Sequence, residues 1–211
     1  MIIMKKYIFL LVFSTSVLFT FSQNKAIYTN SKNSFFGIGV SLGIFNPNDV
    51  NDYLRNYWDN EIAGYNVDKY GYPEMYFNFV LQICGGTFVS QQMELKGIFE
   101  FGIGPKIIII HDTKFFGFFR YSPGVICNYH IPSSKSNNFL IGGGILYHNM
   151  KFKEWKASAF GPRLKAGYNI YFKKKIIELF LAFDIVNGKT NSIGIENLNY
   201  SGLLLGCNFK F

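Results

Sequence analysis

Nine charged residues stand at alternate positions within otherwise apolar segments, and this spacing makes them the first candidates for chemistry. Five are basic and four are acidic, so an enclosed space that held them all would be close to neutral. Such a set predicts ion pairs that brace an interior rather than an electric field that selects one kind of ion. The predicted polar network consists of Glu94, Lys96, Glu100, Arg120, Arg163, Lys165, Glu178, Asp184 and Lys210.

Bulky apolar side chains at the same alternate positions would share that interior. If the segments close into a barrel of eight strands, the interior is about wide enough for its own side chains. We therefore predict a plugged barrel, and a narrow conducting pore is the alternative. The apolar residues on this face are Ile98, Phe116, Phe118, Ile126, Leu140, Leu146, Phe180 and Leu204.

The histidines and one serine are candidates for nucleophilic catalysis, because a histidine can act as the base for a serine nucleophile. His111 and Asp112 fall in one expected loop, His148 lies beside a second, and Ser158 lies within the second. Nothing in the spacing brings these groups together, and His130 is expected near the opposite rim. We interpret them as polar loop residues and expect a protein that is not an enzyme. A lipid-modifying enzyme remains the second alternative.

A segment of about 30 residues, 46–74, is the longest expected loop and a candidate binding surface, since long loops on rigid scaffolds often carry function. Helical spacing between Asn46 and Glu61 predicts an amphipathic helix. Its aromatic residues Tyr53, Tyr57 and Trp58 would form the binding surface, or would pack as a cap over the barrel mouth.

Eight segments with a strict two-residue period must position these groups. One face of all eight holds no Asp, Glu, Lys or Arg, and the opposite face holds the nine charges. A lysine or arginine facing lipid at mid-bilayer costs about 2–4 kcal/mol, so the uncharged face is expected to contact lipid. The predicted strands are 34–45, 75–84, 92–104, 113–131, 139–148, 160–172, 175–186 and 199–211. The fold class is an all-β, antiparallel, transmembrane up-and-down β-barrel.

A soluble barrel or β-sandwich would also alternate, with its charged face in water. Here the charged face is rich in glycine, which weakens an exposed strand and packs nothing there. Inside a narrow barrel the same glycines would make room for bulky neighbours across the lumen. The glycines in question include Gly37, Gly39, Gly43, Gly142 and Gly144.

The two ends of the chain indicate export and membrane assembly. Lys5 and Lys6 precede an apolar run, so residues 1–23 are predicted to be a signal peptide and 24–211 the outer-membrane barrel. The last segment ends on a terminal phenylalanine and resembles the C-terminal strand by which the barrel-assembly machinery recognises outer-membrane proteins. The residues of this assembly strand are Leu203, Leu205, Phe209 and Phe211, with Cys207 on the same face.

Composition agrees with a membrane barrel. Only 16% of residues are charged, against about 25% in soluble domains, and 19% are aromatic. The basic residues form no aromatic-interleaved patch, so nucleic acid is not an expected partner. Outer-membrane lipids are expected partners, together with a possible protein partner. Three widely spaced cysteines match no metal site, and no cofactor is expected.

With an even number of strands, both termini are expected in the periplasm. The outer loops would then be 46–74, 105–112, 149–159 and 187–198, and the periplasmic turns 85–91, 132–138 and 173–174. Longer outer loops are typical of such barrels. A two-residue turn at Lys173 and Lys174 would place Arg163 opposite Asp184 and Asn169 opposite Glu178. 

The chain resembles the small outer-membrane barrels of the OmpA-barrel, OmpX and PorT-like groups over nearly the whole length that follows the signal peptide. The resemblance rests on the features above, on Arg120 to Val125 (RYSPGV) and on Ser201-Gly202 at the start of the last strand. It implies an outer-membrane location in a Gram-negative bacterium. We expect a structural or binding scaffold that acts through its outer loops. The first alternative is a narrow channel or a secretion-associated barrel of the PorT-like kind.

Overall fold

The computed structural model describes residues 34–45, 76–110, 112–134, 137–152, 155–172, 175–190 and 197–211. The predicted signal peptide and the helix predicted in the first loop lie outside these ranges. No helix within them has the length and apolar character needed to cross a bilayer.

The described residues form a closed barrel of eight antiparallel strands, which confirms the predicted fold class. Each barrel strand pairs with its neighbour along the chain, and the first strand pairs with the last to close the wall. The barrel strands are β1 (Ser34–Phe45), β2 (Tyr76–Phe88), β3 (Met93–Ile110), β4 (Asp112–Ser134), β5 (Asn137–Phe152), β6 (Trp155–Phe172), β7 (Lys175–Asp184) and β10 (Gly202–Lys210). Between β7 and β10, β8 (Asn187–Lys189) and β9 (Asn197–Asn199) form a separate two-stranded sheet.

The two-residue period of the sequence explains why one wall has two chemical faces. In β1, Ile38, Val40 and Leu42 are exposed on the outside, and the residues between them are buried inside. The outside carries large apolar side chains around the barrel, up to Phe160, which is 74% exposed. All nine charged residues of the predicted network are buried inside. Such an apolar outer wall is suited to the hydrocarbon of a bilayer.

The register of β6 and β7 agrees with the expectation from the two-residue turn. Arg163 lies opposite Asp184, and Asn169 lies opposite Glu178. All three cysteines, Cys84, Cys127 and Cys207, are free thiols.

Four predicted loops or turns are shorter than expected, because the strands around them extend further. Strands β3 and β4 pair as far as Ile110 and Asp112, so the loop predicted at 105–112 is an extended hairpin. Strand β5 continues to Phe152 and β6 begins at Trp155, within the loop predicted at 149–159. Strand β2 likewise continues to Phe88, within the turn predicted at 85–91. Strands β4 and β5 pair as far as Ser134 and Asn137, within the turn predicted at 132–138. Paired strands satisfy each other's backbone groups, so they can continue beyond the barrel wall.

The fourth expected loop, 187–198, is also partly ordered. It contains β8 and most of β9, and Ala157 of β6 bridges to Thr190 beside them. This small sheet brings the chain back to the barrel at Tyr200, whose backbone nitrogen donates to the carbonyl of Val186 at 2.9 Å.

Candidate functional site

The candidate site is the barrel interior, where the strands bring the predicted polar network together. We call the rim at which β1 begins and β10 ends the terminal end, and the opposite rim the loop end. The charged residues form two clusters along the barrel axis, one nearer each end.

The arginine cluster lies nearer the loop end and joins four strands. It consists of Glu100 on β3, Arg120 on β4, Arg163 on β6 and Asp184 on β7. Arg163 binds both carboxylates, with Nε 2.5 Å from Asp184 Oδ1 and Nη2 2.8 Å from Glu100 Oε2. Arg120 binds the same pair at 3.1 and 2.9 Å. Two guanidinium groups thus neutralise two carboxylates in charge-assisted hydrogen bonds.

Aromatic rings cover the arginine cluster on its loop-end side. The ring of Tyr200 stacks on Phe45 and on Phe118, with centroid separations of 3.9 and 4.7 Å. The guanidinium carbon of Arg120 lies 4.7 Å from the centroid of Tyr200, within cation–π range. The Tyr200 hydroxyl accepts a hydrogen bond from the Asn78 amide. We call Tyr200, Phe45 and Phe118 the aromatic cap, which covers the arginine cluster.

The lysine cluster lies nearer the terminal end and is centred on Glu178. Its carboxylate contacts Lys165, Lys210 and Lys96 at 2.5, 2.7 and 3.2 Å. Lys210 also binds Glu94 at 2.7 Å, which links the two carboxylates through one ammonium group. With three lysines and two glutamates, the cluster has one positive charge more than it has negative charges.

Glycines make room for the amides that complete the lysine cluster. Asn208 donates to Glu178 at 2.6 Å, and Asn128 donates to Glu94 at 2.8 Å. A Cβ atom at Gly39 would overlap the side chain of Asn208. A larger residue at this lumen position would therefore displace a partner of Glu178.

An apolar layer separates the two clusters. Ile98 lies on β3 between Lys96 and Glu100, and it packs with Cys84, Ile126 and Leu146. Each of these four side chains is at most 5% exposed. The described interior is therefore filled by a polar cluster, an apolar layer and a second polar cluster.

Comparison with solved structures identifies this architecture. Neisserial surface protein A superposes with a TM-score of 0.62 at 9% sequence identity, over 86% of this chain and 98% of that chain. The outer-membrane protein OprG from Pseudomonas aeruginosa superposes with a TM-score of 0.52 at 9% identity, over the same shares. The chain has the fold of the small outer-membrane β-barrels. No family model matches the sequence, and no curated protein matches it.

Within this outer-membrane barrel fold, His148 departs from its predicted position and His130 does not. His148 was expected beside a loop, but it is fully buried in the lumen, with Nδ1 2.9 Å from Ser122 Oγ. Ser158 is exposed and donates to Asn149 instead, so the structure does not bring Ser158 and His148 together. His130 lies inside the barrel near the terminal end, 3.2 Å from Glu94. The alternation of β5 points His148 inward, and the continuation of the strand to Phe152 places it within the wall instead of at the rim.

The remaining candidates are divided between described and undescribed parts of the chain. Tyr53, Tyr57, Trp58 and His111 lie outside the described residues. In the described ranges, no group of three or more His, Cys, Asp or Glu side chains could hold a metal ion. The C-terminal strand closes the barrel wall against β1, and the predicted assembly-strand residues Leu203, Leu205, Phe209 and Phe211 are exposed on its outer face.

Four interior groups are absent from the prediction: Tyr200, Phe45 and the Ser122–His148 pair. Alternation alone places all four in the interior. It puts Tyr200 on the face of Leu204 and Phe45 on the face of Gly43. In the same way it puts Ser122 on the face of Phe118 and His148 on the face of Leu146.

Proposed function

We propose that this chain is a bacterial outer-membrane barrel with a closed lumen, and that it is a structural or binding scaffold rather than an enzyme. The main support for a closed lumen is the filled interior, in which each of the nine network charges has a partner of opposite charge. Support for the membrane location comes from the apolar outer wall and the predicted signal peptide. In this proposal the termini face the periplasm and the loop end faces outward.

The proposed scaffold acts through its loop end. Support comes from the β3–β4 hairpin, whose tip extends beyond the neighbouring strands. Ile103 is the last residue of β3 that pairs with β2, and Phe118 is the first residue of β4 that pairs with β5. Within the described ranges, residues 105–110 of β3 pair only with residues 112–117 of β4. Strand edges of this kind can pair with an extended segment of a partner protein.

The closed lumen disfavours the channel alternative, and a bilayer recording tests it. We expect the purified protein to give no discrete conductance steps in planar bilayers, because the arginine cluster and the aromatic cap fill the cross-section. The same preparation should change mobility on a gel when it is boiled, since a closed barrel resists detergent until heated. Steps that change with Arg120→Ala would establish a pore and contradict the proposal. A protein in the soluble periplasmic fraction, without a mobility shift, would contradict the membrane assignment itself.

The enzyme alternative has less support than the scaffold. The Ser122–His148 pair is the arrangement closest to a nucleophile and base, but both side chains are fully buried. A lipid substrate at the outer rim would not reach Ser122 Oγ.

We also propose that the C-terminal strand is read by the barrel-assembly machinery. Phe211→Ser should lower the amount of protein in the outer membrane several-fold. It should leave folding into detergent micelles nearly unchanged, because Phe211 is 55% exposed in the finished barrel. The two measurements are immunoblots of outer-membrane fractions and gel shifts of refolded protein.

Phe139→Ser is the matched control, since Phe139 is 52% exposed on the outer face of β5 and lies away from the C-terminal strand. Equal losses for both variants would show that the lipid-facing wall matters and that the terminal strand is not specifically recognised.

A further inference from the structure

Along the outer face of the β5–β6 pair, the side chains change from aromatic to neutral polar to basic toward the loop end. Three cross-strand pairs follow one another on this face: Tyr147 with Phe160, Asn149 with Ser158, and Lys151 with Lys156. The first pair is aromatic, with ring centroids 4.8 Å apart, the second is hydrogen-bonded, and the third is basic. Successive pairs are about 7 Å apart along the strand. This order of groups matches the order of groups in a lipid at a membrane surface.

An apolar groove of about 740 Å³ begins at the aromatic pair and crosses the outer wall from β6 to β1. Because barrel strands are tilted, a groove across them descends obliquely from the loop end toward the terminal end. Tyr147 and Phe160 lie at one end and Phe36 lies at the other. Gly85 and Gly97 lie opposite each other across β2 and β3, so the wall has no side chains at this part of the groove. The groove therefore offers an acyl chain a longer contact than the surrounding convex wall does.

The lysine pair above the groove would be stabilised by a bound anion. Lys151 and Lys156 are directly opposite each other on neighbouring strands and both are exposed. Like charges in such a pair destabilise a sheet. Within the described part of the chain, neither lysine has a carboxylate partner. A phosphate between them would turn the repulsion into two charge-assisted contacts.

We propose that this face binds one phosphate-bearing lipid, with its phosphate at Lys151 and Lys156 and an acyl chain in the groove. Asn149 and Ser158 lie at the depth of the polar groups that join the phosphate to the acyl chains. The distance along the strand from Tyr147 to Lys151 is about 13 Å, and lysine side chains can bend toward the membrane across part of it. The proposal rests on the membrane location proposed above. It adds a specific site and a ligand class to it.

Native mass spectrometry of the intact barrel tests the site, with dioleoyl phosphatidic acid and dioleoyl phosphatidylcholine as probes. We expect the wild-type protein to retain one phosphatidic acid in preference to phosphatidylcholine, by roughly tenfold, because two lysines face its phosphate. Lys151→Gln together with Lys156→Gln should remove the preference. Lys175→Gln is the matched control, since Lys175 is an exposed lysine at the terminal end, and it should keep the preference.

A second variant tests the groove. A Cβ at Gly97 would have its nearest neighbour at 3.7 Å, so Gly97→Leu fits the fold while its longer side chain fills the groove. It should lower retention of phosphatidic acid several-fold with both lysines present.

Three results would overturn the proposal: equal retention of the two lipids by the wild type, a preference that survives the double lysine variant, or a dimer that Gly97→Leu dissociates. The last would make the groove an interface between two copies. In each case a normal mobility shift on boiling would show that the barrel itself is intact. Loss of that shift in the wild type would instead refute the membrane barrel.

Discussion

Glu178→Gln is expected to destabilise the barrel by about 3–5 kcal/mol, the usual cost of removing one partner from a buried ionic group. The carboxylate of Glu178 contacts three ammonium groups, of Lys96, Lys165 and Lys210, and accepts a hydrogen bond from Asn208. Glutamine keeps the shape of the side chain but leaves three buried lysines with Glu94 as the cluster's remaining carboxylate. Urea unfolding in detergent micelles, followed by intrinsic fluorescence, measures the change.

The double variant Lys165→Met with Glu178→Gln is the control for this prediction. It removes one positive and one negative charge together, so the excess charge of the cluster returns to its original value. We expect the double variant to be more stable than Glu178→Gln alone, because replacing both members of a buried pair costs less than removing one. A single variant that unfolds at the wild-type urea concentration would show that the cluster contributes little to stability.

Arg163→Met is the second large effect, and we expect a loss of about 3–5 kcal/mol for the same reason. Arg163 donates from three nitrogens to Glu100 and Asp184, and both carboxylates are fully buried. Methionine fills part of the space but leaves Arg120 to neutralise two carboxylates. The expected readout is a lower urea midpoint, together with loss of the heat-dependent mobility shift at a lower temperature.

Leu164→Ala is the matched control, because Leu164 is the next residue on β6 and is 63% exposed on the outer wall. Its loss should change stability far less than loss of Arg163. The double variant Arg163→Met with Glu100→Gln should recover part of the stability, since Arg120 then faces Asp184 alone. Equal effects of the inward and outward substitutions would show that the interior is not the stabilising part of the barrel.

If both predictions hold, the polar network has a structural role, which agrees with the proposal that the scaffold acts through its loop end. A transporting interior would be expected to leave charges exposed along a path. Here the charges are buried, and the arginine cluster has no net charge.

The alternation of the sequence by itself determined the closed barrel, its strand number and the face on which each charge lies. It also determined one contact, Arg163 with Asp184, because a two-residue turn leaves a single register for β6 and β7. These features follow from local geometry, since successive residues of a strand point to opposite faces. The inward position of His148 follows from the same rule, but its depth in the lumen does not, because the predicted strand ends at this residue and the real strand continues to Phe152.

Only the tertiary structure decided which charges meet across the lumen. Glu100 binds Arg163 from β3 to β6, and Lys210 binds Glu94 across the closure of the barrel. Such partners depend on the stagger of all eight strands and on the diameter that closure imposes, and no local pattern encodes either. The extension of β3 and β4 beyond the wall, and the placing of Tyr200 between Phe45 and Phe118, likewise came from pairing and packing between distant segments. Alternation determines the side of the wall on which a residue lies, whereas the stagger and diameter of the closed barrel determine its height and its partner.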